Sequence, residues 1–270
     1  CPQPFVMNPI TPFAVKKTLE LMGNKTSVGP DGLPVFLYRQ IASRIAYPLS
    51  CLFERVFFGL DIPDQWRPAR MIAVFKRKGS RQDPSKYRPI CISNGCQRIL
   101  ESLLNRRLMN FLEDNHLIPD SQYGFRAKRS TSAQLVSYLD FVSGEVAAGK
   151  SLTAVYLDIK QAFTCPLFRA LDEAFRQTRI DGITRAWLME YISDRHAFVD
   201  ISGTQSSVFP IRSGGVQGSS LSATAFLLFV SPVLFAAEAT NVKVWAYADD
   251  FKLVSSDPRE LQKCLDLVAG

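Results

Sequence analysis

Histidine is scarce, with two in 270 residues, and the six cysteines (1, 51, 91, 96, 165 and 264) form no CxxC pair and have no His neighbours at zinc spacing. That excludes a zinc clip as the leading reading and favours reduced, mostly buried thiols. Long apolar runs are also lacking. The longest, Ala223 to Ala237, covers 15 residues and includes Ser231 and Pro232, short of the roughly 20 that a membrane span needs. The first dozen residues hold four prolines and no basic-then-apolar leader, so no secretory signal is expected. Low complexity is absent too. Hydrophobic residues make up 47% and charged residues 21%, which excludes a disordered chain. The chain opens on Cys1, and a piece of a longer protein is expected.

What is present is a local excess of positive charge. The net charge is +7, yet Trp66 to Arg129 alone holds 14 Lys and Arg against 5 Asp and Glu. The rest of the chain is slightly acidic. Within that quarter, basic residues alternate with aromatic and apolar ones, as in Phe75-Lys76-Arg77-Lys78, Lys86-Tyr87-Arg88-Pro89 and Tyr123-Gly124-Phe125-Arg126. This texture suits phosphates with stacked bases, and suits a solvated basic surface equally well.

Periodicity predicts the elements. Thr11-Pro12 opens a helix carried by Val15, Leu19 and Met22 and stopped by Gly23. A second helical stretch covers about 35–58, a strand about 71–75, and a basic loop 76–84. Helices follow at 98–113 and 131–147, a strand at 153–158, and helices near 167–177 and 183–193. Two strands near 197–202 and 207–211 flank Gly203. A buried helix is expected at 219–237. Strands 243–247 and 251–255 then flank Ala248-Asp249-Asp250, and a last helix starts at the capping box Asp257-Pro258-Arg259-Glu260.

Three carboxylates stand where rigid elements could aim them at one point: Asp158 at a strand end, Asp249 and Asp250 at a hairpin tip. Crowded carboxylates repel unless a cation joins them. Hard oxygen donors suit Mg²⁺ better than zinc. Two such ions roughly 3.5–4 Å apart would clamp attacking and leaving oxygens in phosphoryl transfer. An Asp-Asp pair alone is an ordinary turn cap.

The order of motifs is more telling. Gly29-Pro30-Asp31-Gly32, Lys86-Tyr87-Arg88-Pro89-Ile90, Gln122-Tyr123-Gly124-Phe125-Arg126 with Arg129-Ser130-Thr131, Asp158-Ile159-Lys160-Gln161-Ala162-Phe163, Gln217-Gly218-Ser219-Ser220-Leu221-Ser222 and Tyr247-Ala248-Asp249-Asp250 follow one another along the chain. In this order they resemble the motifs of reverse transcriptases, most of all those of non-LTR, LINE-type retrotransposons.

The resemblance implies an α+β fold, a right-hand polymerase in which fingers and an N-terminal extension take 1–150 and a palm takes 151–270. The reverse transcriptase domain would run from about 55 to 270. The fingers would be helical and basic, the palm a small antiparallel sheet packed on helices, and the thumb and any upstream endonuclease would lie outside the chain. It implies RNA-directed DNA polymerisation with two Mg²⁺ ions, an RNA template, a DNA primer and deoxynucleoside triphosphates, away from any membrane, in nucleus or cytoplasm and not secreted.

By the same resemblance Asp158, Asp249 and Asp250 are catalytic and bind metal, helped by the Ile159 carbonyl. Arg81, Lys86, Arg88, Ile159, Lys160, Phe163 and Gln217 bind the nucleotide, with Phe163 excluding a 2′-OH, and Arg126 and Arg129 bind the template. An RNA-directed RNA polymerase shares such a palm, but Phe163 argues against it. Thr164, Val216 and Ala223 stand where the family commonly has Asp, Pro and Pro, which leaves a catalytically inactive nucleic-acid-binding remnant as the alternative.

Overall fold

The computed structural model describes residues 4–24, 26–159, 162 and 166–269. Two compact units make up the chain, and both are discontinuous. The first is Cys1–Phe111 with Phe163–Ala225, the second Leu112–Ala162 with Phe226–Gly270. Compactness thus divides the chain differently from a single boundary near residue 150.

The first unit begins with α1 (Pro12–Leu21), where the Thr11 hydroxyl accepts from the Ala14 amide at 3.2 Å and Pro12 takes the first turn. The stretch expected to be one helix is two, α2 (Val35–Gln40) and α3 (Ala42–Phe58), because Ile41 between them leaves helical geometry at φ −107° and ψ 17°. Ala42, Ala46, Leu49, Phe53, Val56 and Phe57 form the buried stripe of α3. A sheet follows. β1 (Pro68–Phe75) pairs antiparallel with β2 (Tyr87–Ile92), from Phe75 opposite Tyr87 to Arg70 opposite Ile92.

This unit also holds most of α4 (Gly95–Asp114). The second unit's α5 (Thr131–Ala147) and β3 (Thr153–Asp158) come next. The chain then returns to the first unit with α6 (Phe168–Gln177), α7 (Gly182–Ser193), β4 (Arg195–Ile201), β5 (Thr204–Gln205) and β6 (Phe209–Ile211). β4 runs parallel to β1 and antiparallel to β5 and β6. The basic stretch thus combines β1 and β2 of a mixed sheet with the helix α4. Trp187 of α7, 1% exposed, stacks on Tyr191 at 5.0 Å and lies against Phe57 at 5.5 Å. Burying a large apolar side chain of this kind contributes roughly 1.5–3 kcal/mol.

α8 (Ser220–Glu238) is 19 residues of high hydropathy, long and apolar enough to cross a membrane by length and composition. The buried helix expected at 219–237 agrees with it to within one residue at each end. Most of it is buried in the protein, including Leu221, Phe226, Leu227, Leu228, Val230 and Leu234.

The second unit is closed by β7 (Lys243–Tyr247), β8 (Asp250–Ser255) and α9 (Pro258–Ala269). Its sheet has the order β3-β8-β7 and is antiparallel throughout. Alternation sets its two faces. Phe251 and Leu253 of β8 and Val244 and Ala246 of β7 are buried on one face. Asp250 and Lys252, with Tyr156 and Asp158 opposite them on β3, share the other. α5 covers the far end of that second face. Its Tyr138 and Phe141 pack on Trp245 at 5.4 and 5.3 Å, and the Trp245 Nε1–H donates to Ser137 Oγ at 3.1 Å.

Candidate active site

The acidic residues are brought together by strand register. Asp158, last in β3, lies directly opposite Asp250, first in β8. Directly opposed residues of an antiparallel pair carry their side chains on one face with Cβ atoms about 4.5–5.5 Å apart. Both carboxylates are solvent-exposed. Asp249 is the second residue of the two-residue loop between Tyr247 and Asp250, and its carbonyl accepts from the Ile159 amide at 3.3 Å. The β3 end and the hairpin tip are thus tied together on both sides of the carboxylates.

A cavity of about 280 Å³ opens beside Asp158 and Asp250, lined also by Thr131, Gln134, Tyr156, Tyr247 and Lys252. The Lys252 ammonium lies 5.1 Å over the Tyr138 ring, and the Tyr138 and Tyr156 hydroxyls meet at 3.1 Å. Sequence reasoning did not single out Tyr156 or Lys252, although period-two alternation from Asp158 and Asp250 puts both on the acidic face.

The donor set fits a hard cation. Mg²⁺ keeps several waters and is held by one or two carboxylates plus substrate phosphates, not by an all-protein cage. Among the described residues no group of three or more His, Cys, Asp or Glu side chains forms such a cage. The opposed pair supplies what that mode of binding requires.

Of the expected nucleotide-binding residues that can be located, Ile159 lies in the second unit beside the carboxylates, and Arg81, Lys86, Arg88 and Gln217 lie in the first. Arg88 on β2 is exposed and has no ion-pair partner among the described residues. Arg81 stacks over the Phe75 ring at 5.5 Å, and its carbonyl accepts from the Tyr87 hydroxyl at 2.9 Å. Lys86 lies 3.6 Å from Asp83, whose carboxyl is held below the usual range first by the Ser85 hydroxyl and amide and then by Lys86. Gln217 is bound to β2, its carbonyl accepting from the Cys91 amide at 2.7 Å. Val216, in place of the common Pro, packs in an apolar cluster with Ala69 and Cys91. Burial there pushes the Cys91 thiol up to about 11. Lys160 and Phe163 lie outside the described residues.

The expected template residues differ. Arg129 stacks on Tyr123 at 5.1 Å and pairs with Asp120 at 2.7 Å, a quarter of its side chain exposed. Arg126 is 5% exposed in its side chain. Its guanidinium donates to both Glu113 carboxylate oxygens and to the Pro119 and Gln122 carbonyls. The donors a template phosphate would take are already used inside the unit. The basic stretch as a whole follows this division. Arg67 pairs with Asp64, Glu190 and Asp194, and Arg70 with Asp200 at 3.1 Å. The outward charge is concentrated in the 76–88 segment.

Arg126 holds the Glu113 carboxyl below its ordinary 4.5, mainly through its hydrogen bonds. A depressed carboxylate stabilises the fold above its unfolded pKa, and that contribution is lost as pH falls through the folded value. Glu113→Gln should lower stability at pH 7 by about 1.5–3 kcal/mol, the worth of hydrogen bonds to a charged group. Thermal melts should show the gap to wild type closing as pH drops below 4.5. A gap that stays constant down to pH 3 would remove Glu113 from this role.

Against this geometry, residues 76–270 match the family model described as reverse transcriptase (RNA-dependent DNA polymerase). The chain belongs to the reverse transcriptase family. It is 24% identical, over 97% of its length, to the probable RNA-directed DNA polymerase from transposon BS of Drosophila melanogaster, of which it covers 30%. It is 25% identical over 90% of its length to the RNA-directed DNA polymerase from mobile element jockey of the same species, covering 27%. To the Pol polyprotein from type-1 retrotransposable element R2 of Popillia japonica the figures are 26%, 90% and 34%. The chain therefore spans about a third or less of these relatives. Among solved structures, apo telomerase from Candida tropicalis superposes with a TM-score of 0.55 at 16% identity, over 78% of this chain and 48% of that one. That likeness shows the shared fold. The family implies a divalent cation in general, in keeping with the opposed carboxylates.

Proposed function

We propose that this reverse transcriptase chain carries the nucleotide-adding centre of a non-LTR retrotransposon polymerase, extending a DNA primer on an RNA template. The observation that supports this most is the pairing of Asp158 with Asp250 across β3 and β8, beside a hairpin that carries Asp249. The fingers would lie in 1–150 and the palm in 151–270. Asp158, Asp249 and Asp250, with the Ile159 carbonyl, would hold two Mg²⁺ ions. Those ions, when bound, lower the pKa of the primer 3′-OH and neutralise charge on the triphosphate.

The chain's own residues do the rest. The 3′ oxygen attacks the α-phosphorus, a new P–O bond forms, the bond to pyrophosphate breaks, and the hydroxyl proton leaves to solvent. Arg88, assisted by Arg81, Lys86 and Lys160, takes the phosphate oxygens. Arg offers a planar fork for them and Lys a mobile point charge. Gln217 faces the nascent pair, Phe163 excludes a 2′-OH, and Arg129 steers the template.

The test is RNA-templated incorporation of deoxynucleotides with and without Mg²⁺. Templated extension that needs the cation supports the reading. Template binding without incorporation would overturn it in favour of a binding remnant. One further result is expected: Arg88→Ala should raise the nucleotide KM about 10- to 100-fold, the worth of one to two charge-assisted hydrogen bonds, with template affinity nearly unchanged. Pre-steady-state incorporation at graded nucleotide concentration checks it.

A further inference from the structure

The loop that joins β7 to β8 carries an unusual residue. Ala248, first of its two positions, has φ +55°, while Asp249 does not have positive φ. A tight hairpin turn of this pattern favours Gly at the first position, because a Cβ is disfavoured there. The amide and carbonyl of Ala248 lie outside the strand ladder and need partners of their own.

Both are met by one side chain. Gln122, 0% exposed, precedes α5 in the same unit. Its Oε1 accepts from the Ala248 amide at 2.8 Å, and its Nε2–H donates to the Ala248 carbonyl at 3.2 Å. The same Oε1 accepts from the Gly124 amide at 2.7 Å. A side-chain amide is the group that offers an acceptor and a donor in one plane, matched to a peptide unit.

The segment holding Gln122 is itself fixed. The Tyr123 amide donates to the Ala246 carbonyl at 2.8 Å and the Ala246 amide to the Ser121 carbonyl at 2.7 Å. A Cβ on Gly124 would stand 2.3 Å from the Ala248 nitrogen, so backbone presses directly on backbone. Arg126 braces the loop from behind through the Gln122 carbonyl at 3.2 Å.

We infer that Gln122 is a positioning residue for the carboxylate hairpin. It holds the strained Ala248 turn so that Asp249 and Asp250 meet Asp158 in a single geometry. This rests on the assignment of those carboxylates to cation binding. Gln122→Met keeps the volume and removes all three hydrogen bonds. On the full chain it should lower kcat about 10- to 100-fold, the effect of misplacing reacting groups by about 1 Å. The Mg²⁺ concentration for half-maximal rate should rise, while nucleotide KM and template affinity stay within about twofold.

Adding Ala248→Gly should restore at least about fivefold of the Gln122→Met loss, since Gly takes positive φ without strain. Gln122→Glu keeps the two accepted bonds and should fall between wild type and Gln122→Met, which serves if the Met variant does not fold. A kcat and Mg²⁺ dependence unchanged in Gln122→Met, or a loss that Ala248→Gly does not relieve, overturns the inference. Asp158→Asn separates the two ideas. If that variant is inactive while Gln122→Met is normal, only the positioning role fails. If Asp158→Asn stays active, the carboxylate assignment beneath it fails.

Discussion

Asp158→Asn should cut primer extension by at least about 1,000-fold, some 4 kcal/mol of barrier, and leave the affinity for template and primer within about twofold. The substitution changes little but charge. Asp158 is exposed at the end of β3, its strand pairing with β8 runs through the backbone, and an amide fills the same space. Folding should therefore be nearly unaffected. Under the proposed assignment, what is lost is one of two opposed anionic donors, and an amide oxygen is a much poorer ligand for Mg²⁺ than a carboxylate. Affinity for nucleic acid comes from Lys and Arg on phosphates, and the exposed cations of the 76–88 segment lie in the other unit. Its salt dependence should not change. Single-turnover extension and filter binding at two salt concentrations check both halves. Asp250→Asn should behave alike, being the register partner. An Asp158→Asn enzyme retaining a tenth of the wild-type rate would exclude Asp158 as a ligand.

The acidic face was legible in sequence because short-range rules govern it. Alternation along β3 and β8, a two-residue turn and the capping box at Asp257 are local signals, and the residue ranges of α5 and β3 agree with expectation. What escaped were long-range pairings. β2 lies beyond the basic loop of 76–84, in a stretch where periodicity predicts no element and Pro89 stands in the middle, and only its partner β1, with Ala73 opposite Pro89, reveals a strand. The parallel pairing of β1 with β4 joins residues more than 120 positions apart, and no window of sequence contains it. Arg126 was misjudged for a related reason. Its motif marks it as basic, but its charge is neutralised by Glu113 from α4. Gln122 sat inside a recognised motif without a role, because a glutamine that binds backbone leaves no chemical signature until the partner turn is seen.

The same dependence on distant backbone makes Gly218 a vulnerable position of the first unit. Its φ is +116°, and a Cβ there would lie 2.5 Å from the carbonyl oxygen of Cys91 on β2. Gly218→Ala must push the loop off the strand. The Cys91 amide, which donates to the Gln217 carbonyl at 2.7 Å, would then lose its acceptor in a buried setting. An orphaned buried amide costs about 1–3 kcal/mol, and forced backbone strain costs a similar amount, together roughly 2–5 kcal/mol. At about 2–4 °C per kcal/mol for a chain of this size, the melting temperature should drop by roughly 5–15 °C. Gly203→Ala is the matched control. Gly203 also has positive φ, +89°, but nothing lies within 4 Å of an added Cβ. It carries the conformational penalty without the clash, so the difference between the two variants isolates the close approach to Cys91. Function should follow position. Gln217 and Arg88 are both held by β2, and moving the loop shifts one relative to the other, so the nucleotide KM of Gly218→Ala should rise while that of Gly203→Ala does not. Equal melting temperatures and equal KM values for the two variants would show that the loop does not need to touch the strand.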